Sequence, residues 1–192
     1  MIHQVEAILK FWFGDPNDPD YGKPQPAWFI KNLAFDEEIR TRFLSFYQLA
    51  TKNQLDFWQY YPESCLALIL ILDQFPRNLF RDQPQAFATD EKALTVANYA
   101  INQKFDHHLL SVQRAFIYLP FEHSENLTDQ HRSVELFTQL RNDPNTASMF
   151  DYAIAHANII QQFGRFPHRN AILGRPSTPE ELEFLTQPTS SF

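Results

Sequence analysis

Residues 64–75 read Ser-Cys-Leu-Ala-Leu-Ile-Leu-Ile-Leu-Asp-Gln-Phe. The eight residues from Cys65 to Leu72 are all apolar, so this segment has no face to offer water. Its leucines, and the lack of alternating apolar and polar residues on either side, favour a helix over a strand. A helix that is apolar all round belongs at the centre of a protein, with other elements packed over it. The residue before a proline avoids helical geometry, so Pro76 predicts that this helix ends near Phe75.

Outward from that centre, the remaining segments carry helical stripes. After Asp36, a candidate N-cap, apolar residues fall at Ile39, Phe43, Phe46, Tyr47 and Ala50. Residues 85–103 are rich in alanine and other helix formers. Residues 121–140 align Leu127, Val134, Phe137 and Leu140, and residues 146–163 align Met149, Ala153, Ile160 and Phe163. Thr178 and Glu181 form a capping box around Pro179, which takes the first position of a last helix. Residues 14–26, with four prolines and three aspartates, read as a loop. The prediction is an all-α chain of seven to nine helices. No stretch rich in Pro, Gly or Ser divides it, so residues 1–192 are expected to form a single domain.

Composition narrows the function. With 16 Lys and Arg against 23 Asp and Glu, the net charge is −7, which argues against general nucleic-acid binding. The single cysteine, Cys65, excludes a disulfide framework and a four-cysteine zinc site. No export signal or membrane span is legible, so a soluble, cytoplasmic protein is expected. Only four glycines are present, and no Gly-rich phosphate loop exists. His-Glu-x-x-His, Gly-x-Ser-x-Gly and Glu-x-x-His are also missing. His123-Ser124-Glu125 matches half of a zinc-deaminase signature whose cysteine pair is lacking. His123, His131, His156 and Glu125 are the residues a metal would recruit, but their spacing is unspecific; no metal and no cofactor is expected.

Three polar clusters stand out. The first is Asp73-Gln74-Phe75-Pro76-Arg77-Asn78-Leu79-Phe80-Arg81. Asp73 lies on the apolar face of Leu66, Ile69 and Leu70, and a buried charge must be paired; Arg77 or Arg81 is the local candidate. The second runs from Pro120 through Glu122, His123 and Glu125 to Asp129. Pro120 reads as a helix opener, which puts Glu122, Glu125 and Asp129 on one helical face that needs a cation. The third is Phe-Gly-Arg-Phe-Pro-His-Arg-Asn-Ala-Ile-Leu-Gly-Arg at 163–175, with Arg165, His168, Arg169, Asn170 and Arg175 and no acid. Arginine's rigid fork fits carboxylate and phosphate, so this bend is expected to meet the acidic helix and the Asp73–Arg77 end. His156 lies in an apolar stripe just upstream, where a hydrogen-bonded core histidine is the ordinary outcome and a base the functional one. A faint echo links Phe75-Pro76-Arg77-Asn78 to Phe166-Pro167-His168-Arg169-Asn170 and reads as two similar helix exits.

Phe-Trp-Phe-Gly at 11–14, Leu-Asp-Gln-Phe-Pro-Arg-Asn-Leu-Phe-Arg at 72–81, Pro-Phe-Glu-His-Ser-Glu at 120–125 and the bend at 163–175 resemble the family called domain of unknown function 924. The resemblance runs from about residue 5 to 185, leaving a tail at 186–192. It implies a tetratricopeptide-like α-α superhelix and brings no activity and no catalytic roles. Two functions remain open. One is an enzyme or receptor for a small anionic metabolite, with Asp73, Arg77, Arg81, Arg165, His168, Arg169, Asn170 and Arg175 as binding candidates and Glu122, His123, Glu125 and His156 as proton-moving candidates. The other is a helical interaction module that binds a protein segment, its Arg–carboxylate clusters being structural. Neither nucleic acid nor membrane is an expected partner.

Overall fold

The computed structural model describes residues 2–188 and Ser190. Among them there is no strand, and nine α-helical segments follow one another. The tail expected at 186–192 lies partly outside the described residues.

The apolar run is enclosed as its composition demands: every residue from Ser64 to Pro76 is buried. The backbone, however, differs from the expected simple helix. Helix α3 (Pro62–Ile69) widens into a π-turn at Leu70–Gln74 and continues as α4 (Phe75–Leu79), so the rod does not end at Phe75. Phe75 donates its N–H to Leu70 across the wider turn. Pro76 has no N–H and crowds the carbonyl one turn back. The carbonyls it leaves are taken from outside the ladder. Thr89 Oγ1 donates to Leu72 O at 2.5 Å, and the Arg77 guanidinium donates to Asp73 O. A proline is tolerated here because side chains replace the bonds it removes.

Around this rod, α1 (Ile2–Phe13) buries Val5, Ile8, Trp12 and Phe13, and α2 (Leu33–Thr51) buries Ile39, Phe43, Tyr47 and Ala50. Trp12 sits at the hub of an aromatic cluster, with Phe75 and Phe116 each 5.6 Å away between ring centres. The N-cap of α2 is Asn32, which accepts from Ala34 N and Phe35 N at 3.1 Å. Asp36 is not the cap: it lies in the first turn and turns inward to Asn78 and Arg81, at 2.6–2.8 Å.

The second half packs α5 (Asp90–Asn102), α6 (Ser111–Glu122), α7 (Leu127–Thr138) and α8 (Ala147–Phe163) each against the next or next but one. Ala93, Ala97 and Ala100 let α5 lie close to α3 and α6. This succession is compatible with a tetratricopeptide-like array. Pro120 is not a helix opener but lies inside the last turn of α6. The following helix starts only at Leu127, capped by Asn126, which accepts from Thr128 N at 2.8 Å. The expected continuous helix over 121–140 is therefore two helices. Helix α8 stops at Gly164, whose φ of 68° is the left-handed C-terminal geometry that glycine adopts without strain. The basic bend then leads to α9 (Pro179–Phe184), where the expected capping box is present: Thr178 N donates to Glu181 at 2.8 Å and Glu181 N to Thr178 Oγ1 at 3.2 Å.

Candidate functional site

Because α6 ends at Glu122, the acidic trio is split three ways. Glu122 lies at the end of α6, Glu125 in the following loop and Asp129 in the first turn of α7. They share no helical face, and the expected charge match with the basic bend holds for one pair. Arg175 grips Glu125 with two prongs at 2.6 and 2.9 Å, and Phe166 N adds a third bond to the same carboxylate at 2.8 Å. Asp129 accepts instead from Ser124 Oγ at 2.7 Å. Arg165 turns to Glu181 of the capping box, at 2.6 and 2.8 Å, and buried Asn170 donates to the same carboxylate at 3.1 Å. Arg165 foremost, with the Thr178 N–H, holds Glu181 down to about 2. Arg81 serves Asp36 and takes no part in the bend.

The Asp73 end also pairs differently from the local expectation. Asp73 is fully buried, and its closest partners are His123 Nδ1 at 2.7 Å and Gln74 Nε2 at 2.5 Å; Arg77 stands 3.6 Å away. Burial opposes its charge, but His123, Arg77 and Gln74 together hold the carboxyl below its usual range. The main partner of Arg77 is Asp90 at the start of α5, gripped with two prongs at 3.0 and 3.1 Å. Asp90 gains further from the positive end of the helix dipole. It is the hub that the sequence did not reveal. An aspartate opening a helix is so common that only its distant partners distinguish it.

Arg169 reaches the same hub from the bend. Its guanidinium lies between the rings of Phe87 and Phe166, 4.7 and 4.6 Å from their centres. Nη1 donates to His123 O at 3.1 Å and to Asp90 at 3.4 Å. Nε is buried without a partner, and Nη2 donates to none of the described residues. Burial, then the neighbouring Arg77, lowers Arg169 from its ordinary value to about 10. It remains charged at neutral pH, but its charge is incompletely compensated.

A cavity of about 350 Å³ opens over this arginine, lined by Phe87, Asp90, His123, Glu125, Arg169 and Leu173 among others. Behind it, Glu122 and His156 are both buried, with His156 Nδ1 3.3 Å from Glu122 and 2.8 Å from Tyr152 O. They do not form an ion pair. Burial, helped by Asp73, pushes Glu122 up to about 8, and burial brings His156 down to about 3, so both are neutral at pH 7. His168 packs on Phe166, and burial lowers it to about 4. Among the described residues no three His, Cys, Asp or Glu side chains converge as a metal set, so His123, His131, His156 and Glu125 do not assemble one.

Of the sequence candidates, the fold thus brings His123, Glu125 and Arg169 to the cavity and places Asp73 and Arg77 directly behind it. Arg165, Asn170 and Arg175 hold the bend that carries Arg169. Phe87 and Asp90 complete the wall and were not legible, since both belong to a segment whose sequence signals only helix.

The family model of bacterial proteins of unknown function, DUF924, matches residues 8–189, and the chain belongs to that family. A solved structure, a protein of unknown function named ATU0120 from Agrobacterium tumefaciens, is similar over 96% of this chain and 97% of that one, with 38% identity and a TM-score of 0.83. No protein with a curated description matches. The family and this relative share the all-helical fold and bring no named activity.

Proposed function

We propose that the cavity receives a small metabolite through a carboxylate or phosphate group held on Arg169. One observation carries this reading: a buried arginine, sandwiched by two rings, whose Nη2 has no partner among the described residues while every other arginine of the bend grips a carboxylate with two prongs. Burying a cation without full compensation is costly, and a bound oxyanion would supply what Asp90 at 3.4 Å does not. The volume suits a small ligand. The lone Cys65, buried and without a disulfide partner, supports a cytoplasmic setting. Neither nucleic acid nor membrane enters this reading; no helix among the described residues is long and apolar enough to cross a membrane.

Thermal unfolding with inorganic phosphate and a panel of small phosphorylated and carboxylated metabolites tests it. A ligand at 100 times its Kd stabilises by about 2.7 kcal/mol, about 5–10 °C for a chain of this size. The rise should be present in the native chain and absent in Arg169→Met; a rise of equal size in both would place the anion elsewhere.

The reading as an interaction module keeps one specific support. Phe29 and Ile30, just before α2, and Leu33 at its start are 61%, 66% and 71% exposed. It predicts no response to any anion and a loss of partner binding in Leu33→Ser.

A further inference from the structure

We propose that His123 is a general base acting on the oxyanion-bearing molecule at Arg169, with Asp73 as its positioning residue. The inference rests on the oxyanion reading above and adds a reaction to it. Asp73 is held on the π-turn, fully buried, and its carboxylate can only accept a hydrogen bond. The 2.7 Å contact with His123 Nδ1 is therefore an N–H···O bond, which puts the proton of the neutral imidazole on Nδ1 and the lone pair on Nε2. The ring keeps 13% of its side chain exposed and lines the cavity, and Nε2 has no partner among the described residues. Arg169 clamps the backbone of the same residue through His123 O. An anion on Nη2 would thus share one cavity with a lone pair of fixed direction.

The groups facing this ring are Asp73 on the π-turn, Arg77 on α4, Asp90 on α5, His156 on α8 at 6.5 Å between ring centres, and His168 and Arg169 on the bend. Burial, then Arg77, lowers the imidazole below its ordinary value against the pull of Asp73, so the base form prevails at neutral pH. In the step itself, an O–H of the bound anion's own hydroxyl, or of a water beside it, breaks. Its electron pair stays on that oxygen and its proton forms the Nε2–H bond. Asp73 then faces an imidazolium, the arrangement that stabilises the charge as it forms.

Nitrogen NMR of the whole chain tests this with inorganic phosphate as the probe. In the native protein His123 should be the Nδ1–H tautomer at pH 7.5, and saturating phosphate should raise its pKa by about half a unit or more, as an adjoining anion favours the charged form. In Asp73→Asn the amide can donate to Nδ1, and the ring should switch to Nε2–H. In Arg169→Met phosphate should no longer move the titration. A native Nε2–H tautomer overturns the dyad, as does an unmoved titration while phosphate demonstrably stabilises the protein. If phosphate and every other oxyanion fail to bind, the oxyanion reading itself falls, and the base with it. The native-protein measurements decide the matter even if Asp73→Asn does not fold.

Discussion

Phe75–Arg81 and Phe166–Arg175 use the same parts for different ends. Each follows a Phe-Pro pair with an arginine that reaches Asp90, Arg77 at 3.0 Å and Arg169 at 3.4 Å, and each lays that arginine over Phe87. Each then buries an asparagine that shares a carboxylate with a second arginine: Asn78 and Arg81 on Asp36, Asn170 and Arg165 on Glu181. The faint sequence echo is thus a correspondence of contacts, though only the second copy leaves a helix. The two copies part at the first arginine. Arg77 holds Asp90 with two prongs and closes a carbonyl, whereas Arg169 arrives after the hub is occupied and keeps a donor unused. The same residue type stabilises the fold in one place and is left over for a ligand in the other.

The strongest break of this comparison is Arg77→Met. It strips Asp90 of its two-pronged partner and Asp73 of its nearest arginine and should cost about 3–5 kcal/mol in urea unfolding, as expected when one partner of a buried pair is removed. Next is Glu122. Its carboxyl is raised from 4.5 to about 8 in the folded protein, so the folded state holds more protons than the unfolded one between those values. Stability should therefore be greatest below 4.5 from this group and fall as pH rises toward 8. His156 and His168, lowered to about 3 and 4, act in the opposite sense, with stability rising as pH climbs from there to 6.5. Between pH 6.5 and 8 the Glu122 contribution stands alone among these three. Glu122→Gln should flatten a decline of about 1.5–2 kcal/mol in that window, read as denaturant midpoints at each pH.

Asn170→Ala should cost about 1–3 kcal/mol, because it strips Glu181, Ser177 and Arg175 of a buried partner. Gly164→Ala, at a φ of 68°, should cost about 1 kcal/mol by differential scanning calorimetry. Smallest of all is Arg169→Met. The fold already disfavours that charge, so the change in stability should stay within about 1 kcal/mol, while the anion response vanishes. A cost equal to that of Arg77→Met would erase the distinction between the two copies.

What could be read in advance follows from the range of the forces. The buried run at 64–76, the stripes of α2 and α8 and the Thr178–Glu181 box are local, and the structure has them; the stripe expected over 121–140 is broken, with Leu127 exposed and Leu140 beyond the end of α7. The bend and the His123 segment were conspicuous because arginines and acids cluster there without nearby partners. Their pairing was not legible, since Arg169 meets a residue 79 positions away and Arg175 one 50 positions away. Both proline readings failed for a common reason. Pro76 and Pro120 lie inside helices whose lost bonds or crowded carbonyls are absorbed by tertiary neighbours or by a helix's last turn, and no local rule foresees such neighbours.

The π-turn at Leu70–Gln74 makes spacing itself a requirement. It holds one residue more than the regular spiral would use, and each residue turns a helix by about 100°. Excising any one of those five would restore an ordinary rod, yet it would swing Arg77, Asn78 and Arg81 together off Asp90 and Asp36. Chain length in this interval should therefore tolerate change less well than the identity of its aliphatic side chains.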